Sequence, residues 1–116
     1  MQSVLLIVDD EQEICRTVKR LLRNHFDAVL SAGSVSEAEP LLQQPVSHLV
    51  CDLFLGKDEP LGCDLIQTWR RRQPSIRYAA LFTGSTYQTS DSPPGVDRVF
   101  SKPGGLTDLI ETLRQA

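Results

Sequence analysis

Four short apolar runs in this chain each end on a residue able to bind a cation or an anion. No other feature constrains the fold so strongly. Val4-Leu5-Leu6-Ile7-Val8 closes on Asp9-Asp10 and Leu49-Val50-Cys51 on Asp52. Tyr78-Ala79-Ala80-Leu81-Phe82 closes on Thr83, and Val99-Phe100-Ser101 on Lys102-Pro103. Short continuous apolar runs read as strands buried on both faces, as in a parallel sheet covered by helices. Parallel strands bring their carboxyl ends to one edge, so the closing residues converge on a single crevice.

The stretches between the runs supply the helices, giving a βα repeat of α/β class. Residues 11–24 place Ile14, Val18, Leu21 and Leu22 on one stripe, with Arg16, Lys19, Arg20 and Arg23 largely opposite. Asp10 stands at the N-cap position, and Glu11 and Glu13 suit the positive end of that helix. Residues 28–30 form a short second strand. Ser34 and Ser36 each match a capping box, with Glu37 and Glu39 respectively. Pro40 lies near the first turn if Ser36 caps and deeper if Ser34 does; a bent or shortened helix is expected, ended by Pro45.

Residues 47–53 are the third strand. After a loop with Gly56, Pro60 and Gly62 comes a helix bearing Leu65, Ile66 and Trp69. Its end, Arg70-Arg71-Arg72, reads as a helix C-terminus meeting solvent. Strands at 76–82 and 98–101 follow, and Leu106, Leu109, Ile110 and Leu113 mark the last helix. Between Thr83 and the fifth strand Ser, Thr, Pro and Gly dominate without an apolar period. The fourth helix of the repeat is therefore expected to be short, irregular or absent.

Size and composition exclude several classes. A chain of 116 residues suits one domain, 1–116, with a single core. The net charge of -3 supplies no basic stripe for direct nucleic-acid binding. No apolar run approaches the ~18 residues of a membrane span, and the first strand lacks the basic flank of a signal peptide. Cys15, Cys51 and Cys63 are odd in number and lack zinc spacing, so they read as reduced thiols in a cytoplasmic protein. Cys51 is expected to face the core and Cys63 to be the most exposed. His25 and His48 read as surface or strand-end residues, and Trp69 and the leucines as core.

The edge residues carry the chemistry. Three crowded carboxylates raise one another's proton affinity, which protonation or a divalent cation relieves. An oxygen-only donor set favours Mg²⁺, which keeps waters and pairs with phosphate oxygens. Lys102 adds a point charge for a carboxylate or a phosphoryl oxygen, and Thr83 a hydroxyl donor. These parts fit phosphoryl transfer onto an aspartate. Taken singly they have plainer readings: a helix cap for Asp9 and Asp10, a turn for Asp52, a solvated lysine. Taken jointly they form a site.

With these residues the chain resembles a receiver domain of bacterial two-component signalling, over essentially its whole length. The resemblance rests on Asp9-Asp10, Asp52, Thr83 and Lys102-Pro103, with Gly62 matching the glycine that opens the family's third helix. It implies a flavodoxin-like sheet of five parallel strands in the order 2-1-3-4-5. It implies that Asp10 and Asp52 ligate Mg²⁺ directly, Asp9 through water, and the Phe54 carbonyl completes the protein's share. Asp52 would accept a phosphoryl group from a phosphohistidine of a sensor histidine kinase or phosphotransfer protein, assisted by Lys102 and Thr83. Such a domain is no enzyme beyond its own phosphorylation and slow dephosphorylation.

The chain also departs from the pattern. Val99 occupies the position where the family carries a switching aromatic, and Phe100 beside it points to the opposite face. Signalling is then expected to run through ordering of residues 84–95. The loop after Asp52 holds about two extra residues, with Gly56 where the family often has proline. Phe54 and Ser85 stand at positions that gate water, so slow loss of the phosphoryl group is expected. Two other functions compete: a pseudo-receiver that signals without phosphate, and a haloacid-dehalogenase-type phosphatase. The phosphatase needs a second aspartate where Phe54 stands. A nucleotide-binding domain lacks its glycine loops.

Overall fold

A computed structural model of the chain describes residues 3–84, 93–102 and 104–116. Within them the elements run β1 (Val4–Val8), α1 (Gln12–Leu22), β2 (Ala28–Ala32), α2 (Val35–Leu41), β3 (His48–Cys51), α3 (Gly62–Arg72), β4 (Tyr78–Thr83), β5 (Arg98–Ser101) and α4 (Leu106–Gln115). The five strands form one sheet in the order β2-β1-β3-β4-β5, with every neighbouring pair parallel. This is the doubly wound order expected.

Alternation along each strand splits the core into two layers. Val4, Leu6, Val8, Leu49, Cys51, Ala79 and Leu81 face α2 and α3, meeting Ala38, Leu65, Ile66 and Trp69. Leu5, Ile7, Val50, Ala80, Phe82 and Phe100 face α1 and α4, meeting Val18, Leu22, Leu109 and Leu113. β1 is buried along its whole length because it is a central strand with helices on both sides. Val99 packs with the first layer and Phe100 with the second, so the two lie on opposite faces as the strand period requires.

Several local expectations shift. α1 starts at Gln12 with Glu11 as its N-cap, so Asp10 does not cap it. The Asp9 carboxylate instead accepts the Glu11 backbone N–H at 2.9 Å. On the α1 stripe Cys15 is buried and Leu21 is 40% exposed, because the stripe turns toward α4 and the sheet. Leu61 is also an exposed leucine. Ser34 caps α2, accepting from Glu37 N–H at 3.2 Å while Glu37 Oε1 accepts from Gly33 N–H at 2.8 Å. With Pro40 inside it, that helix lasts only 7 residues, the shortened form expected, and it stops before Pro45.

His48 is fully buried against Phe26 and Tyr78 instead of lying on the surface. Its Nδ1 pairs with Ser47 Oγ at 2.8 Å. The arginines closing α3 do more than meet solvent. Arg70 donates to the Gly95 carbonyl and to Asp97, and Arg72 to Glu39. Among the described residues no helix lies between β4 and β5. The expectations for the fourth helix and for Ser85 rest on residues 85–92, and that for Pro103 on residue 103, outside those described.

Trp69 links the two helices of one layer. Its ring is buried and its Nε1–H donates to Glu39 Oε2 at 2.8 Å. Trp69→Phe keeps an aromatic ring but removes the donor and some volume. The expected cost is about 1–2 kcal/mol, seen as a lower urea midpoint with an unchanged slope.

Candidate functional site

Strand register builds the site. Val8 pairs with Cys51 across β1 and β3, so the next residue on each strand, Asp9 and Asp52, leaves the sheet beside the other. Backbone bonds fix both exits: Asp9 N–H to Ala32 carbonyl and Asp52 N–H to Val8 carbonyl, each 2.9 Å. Carboxylate oxygens of Asp9, Asp10 and Asp52 lie within 4.8 Å of one another. Asp9 and Asp52 are buried and Asp10 is exposed.

Lys102 arrives from two strands away. Its stem passes over Gly84, and its Nζ lies 5.5 Å from the Phe82 ring centroid. From there Nζ reaches Asp9 Oδ2 at 2.8 Å, Glu11 Oε2 at 2.6 Å and Asp52 Oδ2 at 3.3 Å. Thr83 is buried as the last residue of β4, and its carbonyl accepts the Lys102 backbone N–H at 2.9 Å. Phe54 is 54% exposed on the loop after β3, with its backbone amide near the Asp52 carboxylate.

Electrostatics follow from this crowding. Burial pushes the Asp9 carboxyl above its ordinary range, only partly offset by Lys102 and the Glu11 amide. Burial raises Asp52 likewise, again against the pull of Lys102. Burial alone would lower the Lys102 ammonium, yet the surrounding carboxylates outweigh it and hold its pKa above 10.5. One ammonium thus faces more negative charge than it neutralises. Asp9 Oδ2 is buried and is held by charge without an aligned hydrogen bond. A hard oxygen-ligated cation is the natural complement to such a set.

The structure brings Asp9, Asp10, Asp52 and Lys102 together at one edge, with Thr83 at the end of the intervening strand. Glu11 was read in the sequence only as a charge complementing the helix dipole. Its contact with Lys102 spans ninety-one positions, and no local pattern announces it. Cys51 faces the α2 and α3 layer and is buried, which raises its thiol pKa. Cys15 is buried too, and Cys63 is the most exposed of the three.

No protein-family model matches the chain. It is 36% identical over 90 residues, 77% of its length, to the alginate biosynthesis transcriptional regulatory protein AlgB of Pseudomonas putida, of which it covers 20%. It is 32% identical over 122 aligned positions, 99% of its length, to the hydrogenase transcriptional regulatory protein HoxA of Cupriavidus necator, covering 24% of that protein. The signal receiver domain of an HD domain-containing protein from Pseudomonas fluorescens superposes with a TM-score of 0.83 at 23% identity, over 100% of this chain and 94% of the other. The chain is a response-regulator receiver domain.

A response regulator from Burkholderia pseudomallei, crystallised with a phosphorylated aspartic acid, a calcium ion and citrate, is 25% identical to this receiver. The TM-score is 0.78, over 97% of the receiver and 66% of that protein. The receiver spans about a fifth to a quarter of the length of the regulatory proteins above, which are 20% and 24% covered. Receiver domains are signalling domains, and among the described residues no helix is long and apolar enough to cross a membrane.

Proposed function

We propose that this receiver accepts a phosphoryl group on Asp52 from a phosphohistidine of a sensor histidine kinase or phosphotransfer protein, in the cytoplasm. The observation that carries the reading is the convergence of the Asp9, Asp10 and Asp52 carboxylates within 4.8 Å, with Lys102 Nζ 3.3 Å from Asp52. The donor set suits Mg²⁺, which Asp10, Asp52 and the Phe54 carbonyl would hold directly and Asp9 through water. When bound, the ion neutralises charge on the phosphoryl oxygens.

The chain's own groups do the rest. An Asp52 oxygen attacks phosphorus as the P–N bond breaks, and the imidazole, protonated on its second nitrogen, departs neutral. Lys102 shifts from carboxylate to phosphoryl oxygen, and the Thr83 hydroxyl donates to a second one. Residues 1–116 act as one receiver unit that changes its partner contacts on phosphorylation.

Intact-mass measurement after incubation with acetyl phosphate and Mg²⁺ tests the reading. The expected result is a gain of one phosphoryl group that disappears in Asp52→Ala. A wild-type protein that gains nothing returns the receiver to an interaction module working without phosphate. A gain that persists in the variant places the acceptor elsewhere.

A further inference from the structure

Resting on that reading, we infer that Glu11 is a positioning residue that sets where the Lys102 ammonium stands. Its Oε2 lies 2.6 Å from Nζ, closer than the 2.8 Å to Asp9 Oδ2 or the 3.3 Å to Asp52 Oδ2. The longest of the three contacts is therefore the one to the acceptor, and the shortest is to a carboxylate outside the candidate metal set of Asp9, Asp10 and Asp52. An ammonium has three N–H donors; two of them donate here, to Glu11 and Asp52, while Asp9 is held by charge alone.

The exposure of Glu11 separates its role from that of its neighbours. Its side chain is 59% exposed, against 1% for Asp9 and 10% for Asp52. A cation bound at the three aspartates weakens the hold of Asp9 and Asp52 on Lys102. Glu11, outside that set, keeps its full charge and competes with the phosphoryl oxygens for the same ammonium. Phosphoryl uptake needs Lys102 on the transferring group, so Glu11 restrains it. The restraint is graded, because a solvent-facing ion pair is worth no more than about 1 kcal/mol.

The test uses Glu11→Gln and Glu11→Asp in the whole receiver, with phosphoryl uptake followed by intact mass. Acetyl phosphate and the less charged phosphoramidate serve as donors. Glu11→Gln is expected to speed uptake about two- to five-fold, by the same factor with both donors. Removing a charge that merely repelled the donor would favour acetyl phosphate more, and a gain confined to that donor overturns the inference. Glu11→Asp keeps the charge but withdraws the oxygens by one methylene. It should speed uptake as the glutamine does; wild-type rates in Glu11→Asp overturn the inference as well.

A crystal structure of metal-free Glu11→Gln gives a readout independent of phosphate. Nζ should close on Asp52 Oδ2 to about 2.8 Å, and an ammonium that stays put contradicts the positioning role. Wild-type protein that takes no phosphoryl group from either donor sinks the proposed function instead, while the crystallographic arm still tests the positioning.

Discussion

Gly62→Ala is expected to cost the receiver about 3 kcal/mol or more, lowering its thermal midpoint by about 10–15 °C. A Cβ at this position would stand 2.1 Å from the Asp52 carbonyl oxygen, 2.9 Å from its carbonyl carbon and 3.1 Å from Leu53 Cα. All three are backbone atoms at the end of β3, so no side-chain rotation relieves the overlap. The Gly62 N–H also donates to the Leu53 carbonyl at 2.8 Å, tying the start of α3 to the loop after β3. Relief requires α3 to back away or Asp52 to move, and either disturbs the site along with the core. Gly104→Ala is the control, since nothing lies within 4 Å of its added carbon. It should stay within about 0.5 kcal/mol of wild type. Calorimetry of both variants checks the pair; an unshifted midpoint in Gly62→Ala would falsify the close approach.

Lys102→Met is the second large effect, and it depends on pH. Methionine keeps much of the stem's packing but strips the ammonium from Asp9 and Asp52, whose side chains are 1% and 10% exposed. An unpaired buried carboxylate is costly, and about 2–4 kcal/mol of stability should go at neutral pH. The sign with pH follows from proton counting. Burial already raises both carboxyls above the unfolded 3.8, and without Lys102 they rise further. Between 3.8 and the raised folded values the native state holds more protons than the unfolded chain, so stability falls as pH rises through that window. The deficit of Lys102→Met relative to wild type should therefore be small in acid and full above the window. Adding Mg²⁺ at neutral pH should recover part of it, by stabilising the native state that binds the ion. Urea titrations across pH, with and without Mg²⁺, measure both. A deficit that is constant with pH would mean the ammonium was serving as packing.

Much of the architecture was legible because it depends on local periodicity. The runs at Val4, Leu49 and Tyr78 are strands because the central strands of a covered parallel sheet are apolar on both faces. Leu106, Leu109, Ile110 and Leu113 mark α4 by simple helical spacing. Gly62 was legible as a glycine at a helix start, though the Asp52 carbonyl it must clear was not. Element ends were less legible. Asp10 carries a good capping side chain, yet α1 starts at Gln12 with Glu11 as N-cap, Asp9 takes the Glu11 N–H, and Asp10 is left in solvent. His48 looked like a strand-end residue and is one, but the neighbours that bury it, Phe26 and Tyr78, come from separate parts of the chain.

Sequence alone determined the order of apolar runs and the residue that closes each, because strand period and chain direction are local properties. Parallel pairing then obliged Asp9, Asp52, Thr83 and Lys102 to share an edge. Tertiary structure alone decided how the ammonium of Lys102 divides itself among Asp9, Glu11 and Asp52. That division depends on a long flexible side chain crossing an intervening strand, and distances of a few tenths of an ångström choose its partners.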